Sequence, residues 1–187
     1  MSAVNQPSFT NTYDEGMQLF EFSRDIAMLA ARLDAIAALL NADSGVTDTN
    51  YAITTVAALQ MAGTVNAPGT VRSENPAMIF RKLVEDVRTV ATAQDVQNAK
   101  LNLDAGITAT DFVVTQVAGL LTSLSVVNLP GTPNTYDWRV EFRKLAVDVV
   151  FVATRMDAHA TKLNADGDVN STTYTTTQVA TLTTTAP

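Results

Sequence analysis

Three stretches of this chain are near copies of one another. LNADSGVTDTNYAITTVAAL begins at Leu40, LNLDAGITATDFVVTQVAGL at Leu101 and LNADGDVNSTTYTTTQVATL at Leu163, offsets of 61 and 62 residues. Carrying the same offsets backwards aligns VNQP at Val4, VNAPGT at Val65 and VNLPGT at Val127, so the repeat runs through the whole chain. A period of this size marks one supersecondary unit copied in tandem, each copy too small to bury its own apolar face. The units are residues 4–64, 65–126 and 127–187.

Three samples of one unit show which positions recur. They include Asp25/Asp86/Asp148, Ala30/Ala91/Ala153, Asp34/Asp95/Asp157, Asp43/Asp104/Asp166, Thr49/Thr110/Thr172, Tyr51/Phe112/Tyr174 and Leu59/Leu120/Leu182. Most are apolar or turn-forming, the profile of a copied fold.

In the first unit Leu19, Phe22, Ile26, Leu29, Leu33, Ile36 and Leu40 alternate steps of three and four, an apolar stripe along one long helix. The third unit has Phe142, Leu145, Val149, Val152, Met156, His159 and Leu163 in the same places. Thr12, Asn75 before Pro76, and Thr135 are the expected N-caps. Each helix then covers about 25 residues or more, roughly 40 Å at the usual rise. It stops at LN-x-D, where Gly45 or Gly106 is expected to take positive φ. A short second helix follows, capped by Thr47 or Asp48 and turning Tyr51, Val56 and Leu59 inward; the V-N-x-P segments read as extended linkers. The expected fold is therefore all-α: three tandem helical-hairpin repeats, each a long helix, an acidic turn and a short helix. Leu19, Phe22, Ile26, Phe80, Leu83, Phe142, Leu145, Val149, Tyr51, Phe112 and Tyr174 are the expected core or interface. In the middle unit Gln94 and Gln97 replace Leu33 and Ile36, which predicts a wetter or polar-bonded surface there.

Composition excludes several roles. With 47% hydrophobic and 17% charged residues the chain has material for a core and too little charge for disorder. A net charge of −7 leaves no basic surface for phosphates or anionic lipid, so neither nucleic acid nor membrane is expected as a partner. Cysteine is absent, which removes disulfides and thiolate metal sites. Met1 to Thr12 lacks the pattern of a secretory signal, and no apolar run approaches the ~20 residues of a bilayer span, so a soluble chain is expected.

The chemistry-bearing residues favour no enzyme. His159 is the single histidine, at a stripe position held by Ile36 in the first unit, and reads as a packing residue. The Asn164–Asn170 turn alternates oxygen-bearing residues like a calcium loop, yet the twelfth position, which needs a bidentate acid, is Thr175. The Asp25 and Asp34 sets lie nine residues apart, about 13 Å along a helix and too far for paired acid–base chemistry. Pairing with Arg24, Arg32, Arg143 or Arg155 is their simpler account. No cofactor and no metal is expected.

The phrase LNADSGVTDTNYA, with LNLDAGITATDF and LNADGDVNSTTY, resembles the L-D/N-A-D-x-G-V-T-D-T-x-Y segment of virion structural proteins of tailed bacteriophages. The likeness covers about 13 residues per repeat. It implies a particle component: capsid decoration or cement, or a neck, tail or fibre subunit, located in the virion, partnered by other virion structural proteins and by copies of itself. It brings no catalytic residues with it. The third copy departs from it at Asp168 and Asn170 to Thr173. The other functional class compatible with the sequence is an adhesin-like or calcium-responsive repeat binding module.

Overall fold

A computed structural model describes residues 15–48, 50–66, 75–109, 111–123, 138–170 and 174–184. Thr12, Thr135, the recurring Thr49/Thr110/Thr172 set and most of the V-N-x-P segments lie outside them. Among the described residues the chain is all-α, without strands. Three long helices carry it: α1 (Glu15–Ala42), α2 (Pro76–Leu101) and α4 (Trp138–Ala165). Three single turns follow them, η1 (Val56–Ala58), α3 (Gln116–Gly119) and α5 (Gln178–Thr181).

The long helices pack on one another in all three pairings. Their stripes meet along a common axis: Leu19, Ile26, Leu83, Leu145 and Val149 are wholly buried, Phe22 and Phe142 nearly so. Near one end Phe80 and Phe142 stack at 4.9 Å between centroids, and Phe22 meets Phe142 edge-on at 5.8 Å. At the other end the turns after the three helices bond to each other, so the helices run parallel. Each fully buried aliphatic or aromatic side chain contributes about 1.5–3 kcal/mol, which makes this axis the main source of cohesion. Asn75 caps α2, its Oδ1 accepting from Ala77 N–H at 2.8 Å with Pro76 at the first helical position.

Parallel neighbours require the chain to travel back along the bundle, and that is where the expected second helix gives way. Only one turn of it forms in each case; the rest of each returning segment is irregular and extended. Its course can be followed by its anchors on α1: Asn41 holds Tyr51, Asp34 holds Thr55 and Val56, and Ser23 holds Gly63. The cap on the turn is thus Asp34, not Thr47 or Asp48. Val56, expected inside, is 47% exposed, because its N–H faces Asp34 and its side chain points away. Tyr51, Phe112 and Tyr174 are buried as expected.

The glycines also serve another purpose than expected. Among the described residues only Gly63 has positive φ, at 85°. Gly45 and Gly106 are required by close approach: a Cβ on Gly45 would stand 1.7 Å from Asp168 O, and one on Gly106 2.0 Å from Gly45 O. These contacts lock the three turns together at the bundle end.

Candidate functional site: the carboxylate braces and the interior polar layer

The recurring acids form three sets of braces. Inside each unit, a helix carboxylate takes two consecutive N–H groups of its own returning segment: Asp34 from Thr55 and Val56 at 2.9 and 3.0 Å, Asp95 from Gln116 and Val117 at 2.8 and 3.1 Å, Asp157 from Gln178 and Val179 at 2.7 and 3.1 Å. One helical turn or two further on, Asn41, Asn102 and Asn164 each both donate to and accept from the backbone of Tyr51, Phe112 and Tyr174.

The second set crosses between units. Asp86 on α2 accepts from the N–H groups of Gln60, Met61 and Ala62 at 2.7, 2.8 and 2.6 Å. Asp148 on α4 accepts from Leu121 and Thr122 at 2.7 and 2.8 Å and from the Thr122 hydroxyl. Asp25 on α1 accepts from Thr183 and Thr184 at 2.9 and 2.6 Å. The order is cyclic: first segment to second helix, second to third, third back to first.

The turns supply the third set in the same sense. Asp104 Oδ1 accepts from its own Gly106 N–H and from Thr47 N–H, while Oδ2 takes Asp48 N–H at 2.8 Å. Asp166 accepts from Asp168 and Ala109, and Asp43 from Gly45 and Asn170. Burial alone pushes the Asp104 carboxyl up, but the summed hydrogen bonds from Thr47, Asp48 and Gly106 outweigh it and hold it below the usual range. At Asp148 burial prevails over the bonds from Thr122 and Leu121, and its carboxyl is raised.

These positions correct the arginine account. Among the described residues the Asp25 and Asp34 sets bond chiefly to backbone N–H groups; Arg24 comes within 4.0 Å of Asp25, and the Arg88 charge acts on Asp148. Arg32 instead donates to the Gln178 side chain, and Arg155 lies over the Phe151 ring. The reason is chain reversal: a returning segment that is neither helix nor strand leaves its N–H groups without backbone acceptors, and a buried unbonded N–H costs about 1–3 kcal/mol.

The second feature is a polar layer inside the bundle. Gln94 is wholly buried, Gln97 and His159 are 6% and 3% exposed, and none of their side-chain nitrogens or oxygens has a protein hydrogen-bond partner. The predicted wetter surface is thus an interior one. His159 packs against the Phe112 ring at 5.2 Å, and burial, with a smaller contribution from Lys162, pushes its pKa down to about 3. A neutral imidazole with no acid or nucleophile bonded to it is not arranged for proton transfer.

The expected core or interface residues all lie inside a single chain. Among the described residues no three His, Asp or Glu side chains converge as a metal site, and no helix is long and apolar enough to cross a membrane. Comparison with known families, characterised proteins and solved structures yields no match.

Proposed function

We propose that the chain is three copies of one helical unit, 4–64, 65–126 and 127–187, closed into a ring, and that it serves as a non-enzymatic structural component of a tailed-phage particle. Its nearest role is capsid decoration or cement, or a neck, tail or fibre subunit, acting through contacts with other virion proteins and with further copies of itself. The observation that supports the ring is the return of the cycle at Asp25, where the last segment docks on the first helix across 158 residues; the particle role rests on the resemblance of LNADSGVTDTNYA and its two copies to segments of virion structural proteins. The acids that would otherwise suggest chemistry are engaged as braces.

Closure inside one chain has a consequence for assembly. The bonds that a symmetric trimer makes between subunits are made here between units, so the stripe residues do not serve contacts with other proteins. Those contacts fall to outward apolar side chains, such as Ile53 at 57%, Leu121 at 55% and Leu103 at 86% exposure.

Mass spectrometry of purified, nuclease-treated particles from the source tests the role. The chain should be present at a fixed copy number relative to the major capsid protein, and should leave the particle only under conditions that dissociate proteins. Its absence from particles, with the protein free in the lysate, would end the structural reading.

A further inference from the structure

Ile36, Gln97 and His159 hold the same stripe position on three parallel helices, so they share one cross-section of the bundle; Leu33, Gln94 and Met156 share the one a turn earlier. From α1 these cross-sections receive carbon alone, whereas α2 and α4 bring two carboxamides and an imidazole. Gln94, Gln97 and His159 are buried, and both hydrogen-bonding atoms of each are without a protein partner. The polar surface continues along α2. Asn98, one turn on from Gln94, donates to Val113 O, as does Gln116 of the second returning segment, and the side-chain oxygens of both are unpartnered. Phe112, the ring against His159, has no hydroxyl to offer, unlike Tyr51 and Tyr174 at the same place in the other units.

A buried polar group is normally bonded, because one left bare forfeits its hydration with nothing in return. We propose that this layer is a binding site for water, in which ordered internal molecules bridge Gln97 to His159 across one cross-section and bond to Gln94 in the next. The balance of groups selects water over an ion. Each carboxamide offers an N–H pair and a carbonyl, and a neutral imidazole one N–H and one lone pair, so donors and acceptors come in like measure. His159 supplies both kinds because burial pushes its pKa down to about 3 and keeps the ring neutral. An anion would use the donors alone and a cation the acceptors alone, leaving the others bare. A water molecule does both, and a buried one typically makes about three hydrogen bonds.

Solvent also has a route to the layer. Of the grooves between a returning segment and the next helix, the second is closed by Phe151 over Gly119, with Arg155 over the ring. The third is closed by Met28 against Thr181 and by Arg32 bonded to Gln178. In the first, between its segment and α2, the same helix positions are Thr89 and Ala93. A cavity of about 270 Å³ remains there, with Gln97 among its lining residues. Water that enters this groove meets Gln97 at the edge of the layer.

The test is NMR of the full chain, reading cross-relaxation between water and the carbon-bound protons of Gln94 and His159, which do not exchange with solvent on this timescale. Signals of opposite sign in the laboratory-frame and rotating-frame experiments are expected, the mark of water held far longer than at a surface. The methyls of Ile26, Val87 and Val149, a wholly buried all-carbon cross-section, should show none. A variant combining Gln94→Leu, Gln97→Ile and His159→Ile should lose the signals, since it gives α2 and α4 the kind of side chain that α1 already has there. No water signal at Gln94 and His159, an equal signal at the Ile26 cross-section, or signals retained in the folded variant would overturn the inference. So would shifts of these protons that saturate with sodium bromide, which would put an anion in the layer. The comparison of the two cross-sections in the native chain is decisive whether or not the variant folds. It needs no particle, so its outcome is independent of the virion role.

Discussion

Asp25→Ala is the sharpest perturbation of the ring. The carboxylate is wholly buried and accepts the Thr183 N–H at 2.9 Å, the Thr184 N–H at 2.6 Å and the Thr183 hydroxyl at 2.9 Å. The hydroxyl can rotate towards water, so its loss is small, whereas the alanine variant takes away the acceptor that both amides use. Hydrogen bonds to a charged group contribute about 1.5–3 kcal/mol each, giving a loss of roughly 3–6 kcal/mol. Against a total stability of about 5–15 kcal/mol this is a large share, and at about 2–4 °C per kcal/mol it lowers Tm by roughly 6–24 °C. Asp25→Asn retains one acceptor oxygen but turns an NH₂ towards a donor, so it should fall between the two. Urea unfolding followed by circular dichroism at 222 nm gives the energies, and amide hydrogen exchange at Thr183 and Thr184 gives the locality: both should be protected in the native chain and exchange freely in the alanine variant. A cost below about 1 kcal/mol, or unprotected amides in the native chain, would refute the cyclic bracing.

Two further outcomes follow from the interior and the turns. His159 has its folded-state pKa pushed down to about 3 against about 6.5 unfolded, so the unfolded chain binds the extra proton between those values; the histidine's contribution is complete above pH 6.5 and is lost as pH falls, by up to about 1.4 kcal/mol per unit, and His159→Ile should flatten that part of a pH–stability curve, an unchanged slope counting against a buried neutral imidazole. Gly45→Ala should destabilise strongly, by at least about 2 kcal/mol, because its Cβ meets backbone at 1.7 Å, whereas Gly167→Ala, with nothing within 4 Å, should change thermal denaturation by under about 0.5 kcal/mol; equal effects would refute the close-approach account.

What could be read from the sequence, and what could not, divides along a physical line. The stripe from Leu19 to Leu40 was legible because burial follows helical period, and the end of the helix at LN-x-D because Asn and Asp compete with helix locally. The returning segment was not, because Thr55, Val56 and Leu59 have a spacing compatible with a short helix, yet only one turn forms, and its cap is a carboxylate about 21 residues earlier on another element. Recurrence marked Asp25, Asp34 and Asp43 as essential to the unit without showing that their partners are backbone amides, since an amide leaves no signature in the sequence. Gly45 was recognised as special for the wrong reason: a turn glycine and a glycine pressed against a neighbour's carbonyl look the same in one dimension.

The informative residues for function are then those that break the repeat, not those that keep it. A copied unit specifies braces at every equivalent place, and where core side chains differ among the three, as at Leu19/Phe80/Phe142 or Phe22/Leu83/Leu145, apolar is exchanged for apolar. Gln94 and Gln97 leave four polar atoms without protein partners in a layer that Leu33 and Ile36 fill with carbon, a cost of burial that apolar replacements do not incur. Thr89 and Ala93 leave a hollow where two long side chains close the other grooves. Both departures are on α2, beside the groove that stays open. That asymmetry in an otherwise cyclic arrangement of braces gives the α2 side of the bundle a surface and an interior unlike the other two.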